Sequence, residues 1–438
     1  MSDSNFSEHS DCTSNWVTRD VAIIGGGASG TYAAWRLREL NYSVAIIEKK
    51  ARLGGHTETY ITPQGVPIDY GVMVYHNWPL VERFFEHFGI PLTEFSYAAD
   101  QGTSIDLRTG EVDKNYTQPD PSLALQAYGA QLAKYPYLRE GFNLPDPVPE
   151  DLLIPFGAFV EKYRLDDAVW LIAQYSQGFG DILAVPTLYV AKYFGLELLD
   201  ALQEEATIAR FTAAGKKSFK AMYGTSLRFL IVRGPKNTTH LRAKQLLITA
   251  PPSYNAVVEP LCPSARERAL FSRFRSNTYW AGVMHASGLP STSVRNAAPE
   301  QPFHLPRLPS VYGWSPAQGA PGYFSFTYGG PQGQCLSDEA VKADVLATVE
   351  RTLKAGSLEG GAENGTEAVS LVAFSNHSPY EFMVGVEDVR AGFYRDLKAL
   401  QGHWDTWWTG AAFEAHDSSL VWRFTEGLLG NITERLGN

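Results

Sequence analysis

Residues 20–48 read DVAIIGGGASGTYAAWRLRELNYSVAIIE, and this stretch decides the fold. Val21 to Ile24 is a short, β-branched run that ends in glycine, the pattern of a strand buried on both faces. Gly25-Gly26-Gly27-Ala28-Ser29-Gly30 follows and satisfies G-x-G-x-x-G. From Ser29 to Leu40 the apolar Tyr32, Ala33, Leu37 and Leu40 recur at helical spacing. Val44 to Ile47 repeats the strand pattern and ends at Glu48.

Each residue type has a physical job. Gly25 permits a tight turn, Gly27 lets backbone approach a pyrophosphate, and Gly30 lets helix and strand pack closely. Ala28 and Ser29 open the helix, whose free N–H groups and positive dipole end favour phosphate. At the end of the second strand, the Glu48 carboxylate can accept both hydroxyls of an adenosine ribose. An acid there disfavours a 2′-phosphate, so NADP fits poorly. Glycine-rich loops are common, but this one follows a strand, opens a helix and leads to an acid-terminated strand. That context predicts dinucleotide binding.

The motif alone leaves NAD and FAD open, and the next residues favour FAD. After Glu48 and Lys49 comes Arg52-Leu53-Gly54-Gly55-His56-Thr57. A second glycine turn brings chain close to the pyrophosphate and ribityl region, with Arg52 as a charge partner. Gly65 to Gly71 then reads as a turn, a short strand and another glycine. A simple NAD domain needs neither element.

The 438 residues suggest two or three domains' worth of core. Hydrophobic residues at 44% and charged ones at 19% are ordinary for a globular enzyme. A net charge of −10 with no basic run longer than three residues argues against nucleic-acid binding. Cys12, Cys262 and Cys335 are too scattered for a disulfide framework or a cysteine zinc site, so no metal is expected. No stretch approaches the apolar length of a membrane span. Residues 1–19 read as a disordered polar leader without the apolar core of a signal peptide, which points to the cytoplasm. N-x-[ST] occurs at seven of 14 asparagines, which instead points to the secretory pathway.

Residues 20–60 and the segment IDYGVMVYHN (68–77) resemble the flavin-containing amine oxidase superfamily, in particular the fungal β-cyclopiazonate dehydrogenase-like group. A more distant likeness is to the polyunsaturated fatty acid isomerase flavoenzymes. IPFGAFVEKY (154–163), Gln177-Gly178-Phe179-Gly180 and Val185-Pro186-Thr187 fit as well. So do Gln401-Gly402, Trp408-Thr409-Gly410-Ala411-Ala412 and His416-Asp417-Ser418-Ser419 near the end. The likeness covers most of Asp20 to Leu429.

The resemblance implies an α/β fold with a discontinuous Rossmann-like FAD-binding domain, residues 20–95, 206–262 and 385–438. Residues 96–205 and 263–384 would form an inserted α+β substrate domain on a mixed sheet. A strand near Gln245–Thr249, capped by Ala250-Pro251-Pro252, would join the FAD domain. Met73 would lie by the flavin ring, Gly410 by the ribityl chain, and Asp417, Ser418 and Ser419 would start a helix facing the ring. Two departures stand out. Ala411 replaces an acid that many superfamily members have, and the chain between Phe219 and Leu227 is too short for an expected helix and strand.

For catalysis, His76 and Tyr328 are the candidates, with His416 a weaker one. His56, in place of a common arginine, is a flavin contact or the anchor of a covalent link. Helical stretches at Leu165–Tyr175 and Leu188–Leu202 would wall an apolar tunnel, and Trp314, Phe324, Phe326 and Tyr328 would line the flavin face. Three readings stay open. One is FAD-dependent oxidation of a small, largely apolar secondary metabolite or amine-like substrate, with O2 or another acceptor, by a monomer or homodimer. The others are a redox-neutral double-bond isomerase and a cofactor-deficient homologue.

Overall fold

The computed structural model describes residues 15–93, 102–114, 116–203, 209–211, 228–233, 238–360 and 369–437. In the first of its two large sheets, four parallel strands lie in the order Val44–Ile47, Asn15–Ile24, Thr238–Ile248 and Thr406–Trp408. Arg228–Arg233 pairs antiparallel with the first half of Thr238–Ile248. Register aligns Ile24 with both Ile47 and Ile248, and Ile248 with Trp408. The four strands therefore stop at one level, and the segments that follow them emerge along one edge.

Period-two alternation splits this sheet's side chains between two layers. Val21, Ile23 and Leu247 pack with Ala33 and Leu37 of the helix Ala28–Glu39 and with Leu429 and Ile432 of the helix Ser418–Gly437. Ala22, Leu246 and Ile248 face the opposite, larger core. The two helices are clamped together by Glu426, which accepts from the Tyr32 hydroxyl at 2.9 Å and from Arg36 at 2.7 Å. Trp422 donates to the Ala28 carbonyl at 3.0 Å.

The leader reading is corrected at its end, because residues 15–19 pair with Thr239–Ala243 as the start of the first strand. Pairing with a strand more than two hundred residues away satisfies these backbone groups, and local polarity does not reveal it.

The second sheet has eight strands and is mixed. Arg275–His285 is flanked by Ser370–Asn376 and Tyr323–Gly330, both antiparallel. Val294–Asn296 pairs parallel with Thr103–Asp106. The helix Asp338–Ala355 buries Val341, Val345 and Val349 against one face, on Phe324, Phe326 and Tyr328. The other face looks into the space beside the first sheet. Short helices between residues 122 and 203 close the remaining side. The stretch Leu165–Tyr175 opens as a 3-10 turn at Asp166–Ala168 before the helix Val169–Tyr175. Leu188–Leu202 is two helices, Thr187–Tyr193 and Leu196–Gln203. They break at Phe194, whose ψ of 62° is not helical, and at Gly195. The short segment Phe219–Leu227 lies outside the described residues.

Candidate functional site

The strand ends deliver their glycines to one place. Gly25, which directly follows Ile24, has φ of 105°, and a Cβ there would stand 2.7 Å from the Ala250 nitrogen. A Cβ on Gly30 would stand 2.0 Å from the Gly25 carbonyl oxygen, so helix and turn touch through bare backbone. Gly55, with φ of 59°, passes so close to Gly27 that a Cβ would lie 2.8 Å from the Gly27 Cα. Gly410 follows the fourth parallel strand with φ of 111°. These turns border a cavity of about 1420 Å³. Ligand pockets commonly measure about 300–1,000 Å³, so the space exceeds what one small molecule needs.

Most of the residues singled out from sequence line this cavity. Gly25, Gly27, Ala28 and Ser29 do so from the first loop, and Glu48, Lys49, Gly54, Gly55, His56 and Thr57 from the second. Met73 and His76 contribute from the 70–76 segment, and Gly410, Ala411, His416, Asp417 and Ser418 from the C-terminal segment.

Four do not reach it. Gly30 is spent on packing. Arg52 turns away to pair with Glu58 and to donate to the Thr57 carbonyl at 3.0 Å. It braces the Gly54–Gly55 turn instead of offering charge to a pyrophosphate. Ser419 is buried, its hydroxyl accepting from the His76 backbone N–H at 3.0 Å. Tyr328 lies on the far face of its strand and donates to Asp344 at 2.9 Å, which removes it from the catalytic candidates. The aromatic lining is corrected in part. Phe324 and Tyr328 are core residues under Asp338–Ala355, whereas Trp314 and Phe326, though packed in that core, also border the cavity beside the small polar Ser325 and Thr327.

Glu48 is held where a ribose acceptor belongs. One carboxylate oxygen accepts from Gly26 N–H at 2.7 Å and the other from Lys50 N–H at 2.8 Å. Each oxygen keeps lone-pair capacity, so the backbone orients the carboxylate without exhausting it. The departure at Ala411 is not repaired by Glu414, which is buried and ion-paired with Lys192, away from the cavity.

At the start of Ser418–Gly437, the Asp417 carboxylate accepts from Leu420 N–H at 2.9 Å and faces His76 Nε2 at 3.4 Å. Burial alone would lower the His76 pKa, but the Asp417 carboxylate outweighs it and holds the imidazole above its ordinary value. Asp417 is conversely held low: burial opposes ionisation, but His76 and the helix N–H groups prevail.

Sequence reasoning missed a wall of stacked rings. His56 lies flat on His377, with centroids 4.2 Å apart and an interplanar angle of 12°. Tyr380 touches His416 at 3.9 Å and stacks on Tyr279 at 4.7 Å. Burial pushes His56 down to about 4, with Lys50 adding to the effect, and His416 down to about 3. Burial and the neighbouring His56 hold His377 well below its ordinary value. All three imidazoles are therefore neutral at pH 7, and His377 Nε2 is buried without a hydrogen-bond partner. The local signal was slight: His377-Ser378-Pro379 is a short loop between the strands Ser370–Asn376 and Tyr380–Met383.

Backbone turns, an oriented carboxylate at a strand end and a helix N-terminus on one cavity fit a dinucleotide and leave room for a second molecule. Among the described residues no group of three or more His, Cys, Asp or Glu is placed to hold a metal. No helix among them is long and apolar enough to cross a membrane.

Comparison with known proteins agrees with this geometry. Residues 23–88 match the NAD(P)-binding Rossmann-like domain family. The chain is 34% identical to an FAD-dependent oxidoreductase of Cochliobolus heterostrophus, over 94% of this chain and 90% of that one. It is 34% identical to beta-cyclopiazonate dehydrogenase of Aspergillus oryzae, over 94% of this chain and 92% of that one. Among solved structures, a CLA-producing fatty acid isomerase from P. acnes superposes with a TM-score of 0.69 at 18% identity, covering 94% of this chain and 98% of that one. A putrescine oxidase superposes with a TM-score of 0.62 at 16% identity, covering 96% and 100%. At such identities the structural likeness establishes the fold alone.

Proposed function

The chain belongs to the family of fungal FAD-dependent oxidoreductases, and from that premise we propose that it oxidises a small, largely apolar substrate, a secondary metabolite or amine-like molecule. FAD, when bound, supplies the hydride-accepting ring. The observation that carries the reading is the convergence of the strand ends and glycine turns on a cavity of about 1420 Å³.

The chain's own residues divide the work. Gly25, Gly27 and Gly55 admit the pyrophosphate to bare backbone, and Glu48 orients the ribose. The start of Ser418–Gly437 would offer its N–H groups to the negative charge that the ring gains on reduction. Tyr279 and Tyr380 present a flat apolar wall to a substrate and keep water from it. With neutral imidazoles at His56, His377 and His416, that wall places no positive charge against a substrate and offers ring nitrogens as hydrogen-bond acceptors. O2 is the proposed acceptor.

The isomerase reading is not favoured, because the relatives at 34% identity carry oxidoreductase names and the isomerase likeness rests on fold. The cofactor-deficient reading rests on residues outside the description. The test is anaerobic mixing of the flavin-loaded protein with a panel of small apolar amines and alcohols, followed by admission of air. Expected are bleaching of the flavin band by at least one class, its return in air, and a product two mass units lighter for an alcohol or, for an amine, the carbonyl compound formed when the imine hydrolyses. Conversion to a product of unchanged mass would overturn the oxidation reading.

A further inference from the structure

A second cavity of about 420 Å³ adjoins the large one. Trp170, Gln174, Gln177 and Arg295 line both, so the two spaces share a wall made of these four side chains. Its volume suits one functional end of a small molecule. Its chemistry is unlike that of the ring wall. Arg295 comes from the strand Val294–Asn296, and its guanidinium lies over the Trp170 ring at 5.4 Å. Ser176 is 3% exposed, lines the small cavity, and its hydroxyl is buried without a hydrogen-bond partner. The Gln118 side-chain nitrogen, on the same wall, is likewise buried and unpartnered. Two donors left this way are costly unless a ligand supplies acceptors.

The residues lining this lobe carry more basic than acidic charge, and behind them the Asp113 carboxylate faces His304 Nδ1 at 3.1 Å. Among the described residues the one carboxylate lining this lobe, Asp181, is exposed to solvent, as is Arg307. Arg295 stands further in, at the junction. Phe303 and His304, also on the wall, hold left-handed backbone at φ of 56° and 53°. Non-glycine residues adopt that conformation at a cost that tends to concentrate at binding sites.

We propose that this lobe takes the acidic end of the substrate, a carboxylate or comparable ionised oxygen acid. The apolar part of the same molecule then lies in the large cavity, and Arg295 is the specificity-determining residue between them. The proposal rests on the reading of the large cavity as the substrate site. Arg295 meets the acid with a planar pair of N–H donors, and Gln118 and Ser176 complete its hydrogen bonds.

Calorimetric titration of the flavin-loaded protein with 4-phenylbutyrate and with 4-phenylbutanamide tests it, because the two probes share shape and differ in charge. Charge-assisted bonds predict that the acid binds at least about tenfold more tightly than the amide. Arg295→Gln abolishes that preference and leaves the amide's affinity within about twofold, whereas Arg295→Lys keeps part of it. Gln118→Leu, which removes one donor at constant size, reduces the preference several-fold and serves if Arg295→Gln does not fold. Equal affinity for both probes, binding of neither, or equal weakening of both by Arg295→Gln overturns the proposal. A wild-type protein without a flavin spectrum counts against the oxidoreductase reading instead, and the probe comparison then reports on the lobe by itself.

Discussion

The two sides of the large cavity are built from different materials. The cofactor side is backbone: Gly27 abuts Gly55, and Gly25 and Gly410 both abut Thr249, because the four parallel strands end in register. The substrate side is side chains: His377, Tyr380, Tyr279, Trp170 and Arg295 arrive from separate strands, loops and helices. A backbone site is fixed by the sheet and has no room for a Cβ at Gly25, Gly30 or Gly55. A side-chain site can change its chemistry without disturbing the fold. One scaffold can therefore keep its cofactor while relatives change substrate.

The largest expected effect breaks the backbone side alone. Gly27 has ordinary φ of −78°, and a Cβ there would meet nothing nearer than the Gly55 Cα at 3.7 Å. Gly27→Ala therefore fits the protein but places a methyl group where a pyrophosphate would approach. We expect a cooperatively folded, colourless protein with flavin affinity lowered by on the order of a hundredfold or more. Flavin fluorescence titration measures it, and retention of wild-type affinity would remove the backbone argument.

Acid should act next, through the ring wall. His56 and His416 are held near 4 and 3 when folded, against an ordinary 6.5. The unfolded chain therefore binds more protons below pH 6.5, and stability falls as pH drops from there towards 4. Each shift corresponds to at most roughly 3–5 kcal/mol. Denaturant titrations of wild type and His56→Gln between pH 7 and pH 4 should show a shallower loss in the variant. Parallel curves would mean that His56 is not buried as a neutral ring.

Glu48→Gln sharpens the comparison from the cofactor side. It preserves size and one acceptor but removes the charge facing the ribose, so FAD should bind about tenfold more weakly. His377→Ala should instead leave FAD affinity within about twofold and lower kcat/KM, which separates the two walls by measurement.

The smallest effect belongs to His76. Its folded pKa is raised by Asp417, so the pair's stability is fully present below the ordinary histidine value and fades as pH rises through the folded one. Differential scanning calorimetry should find His76→Gln lower in Tm by roughly 2 °C in mild acid, with the difference gone in alkali. A constant difference across pH would mean that the imidazole's charge plays no part.

What could be read from the sequence follows the same division. The turn at Gly25–Gly30, the acid at Glu48 and the glycine pair at Gly54–Gly55 are local patterns, because the backbone approach they permit is written within a few residues. The stacked His56 and His377 are more than three hundred positions apart, and nothing local reports their meeting. Alternation in Tyr323–Gly330 marked a strand but not which face met the helix Asp338–Ala355. Of the large aromatics given a cavity role, Phe324 and Tyr328 point into the core, while Trp314 and Phe326 reach the cavity beside Ser325 and Thr327. Arg52 failed for a nearer reason: Glu58, six positions on, claims its guanidinium.

The most direct measurement is the visible absorption spectrum of the purified protein, before and after acid precipitation. Oxidised-flavin bands with one FAD per chain are expected, whether the colour leaves with the supernatant or stays with the pellet. A colourless, folded protein that takes up no added FAD would contradict the flavin assignment.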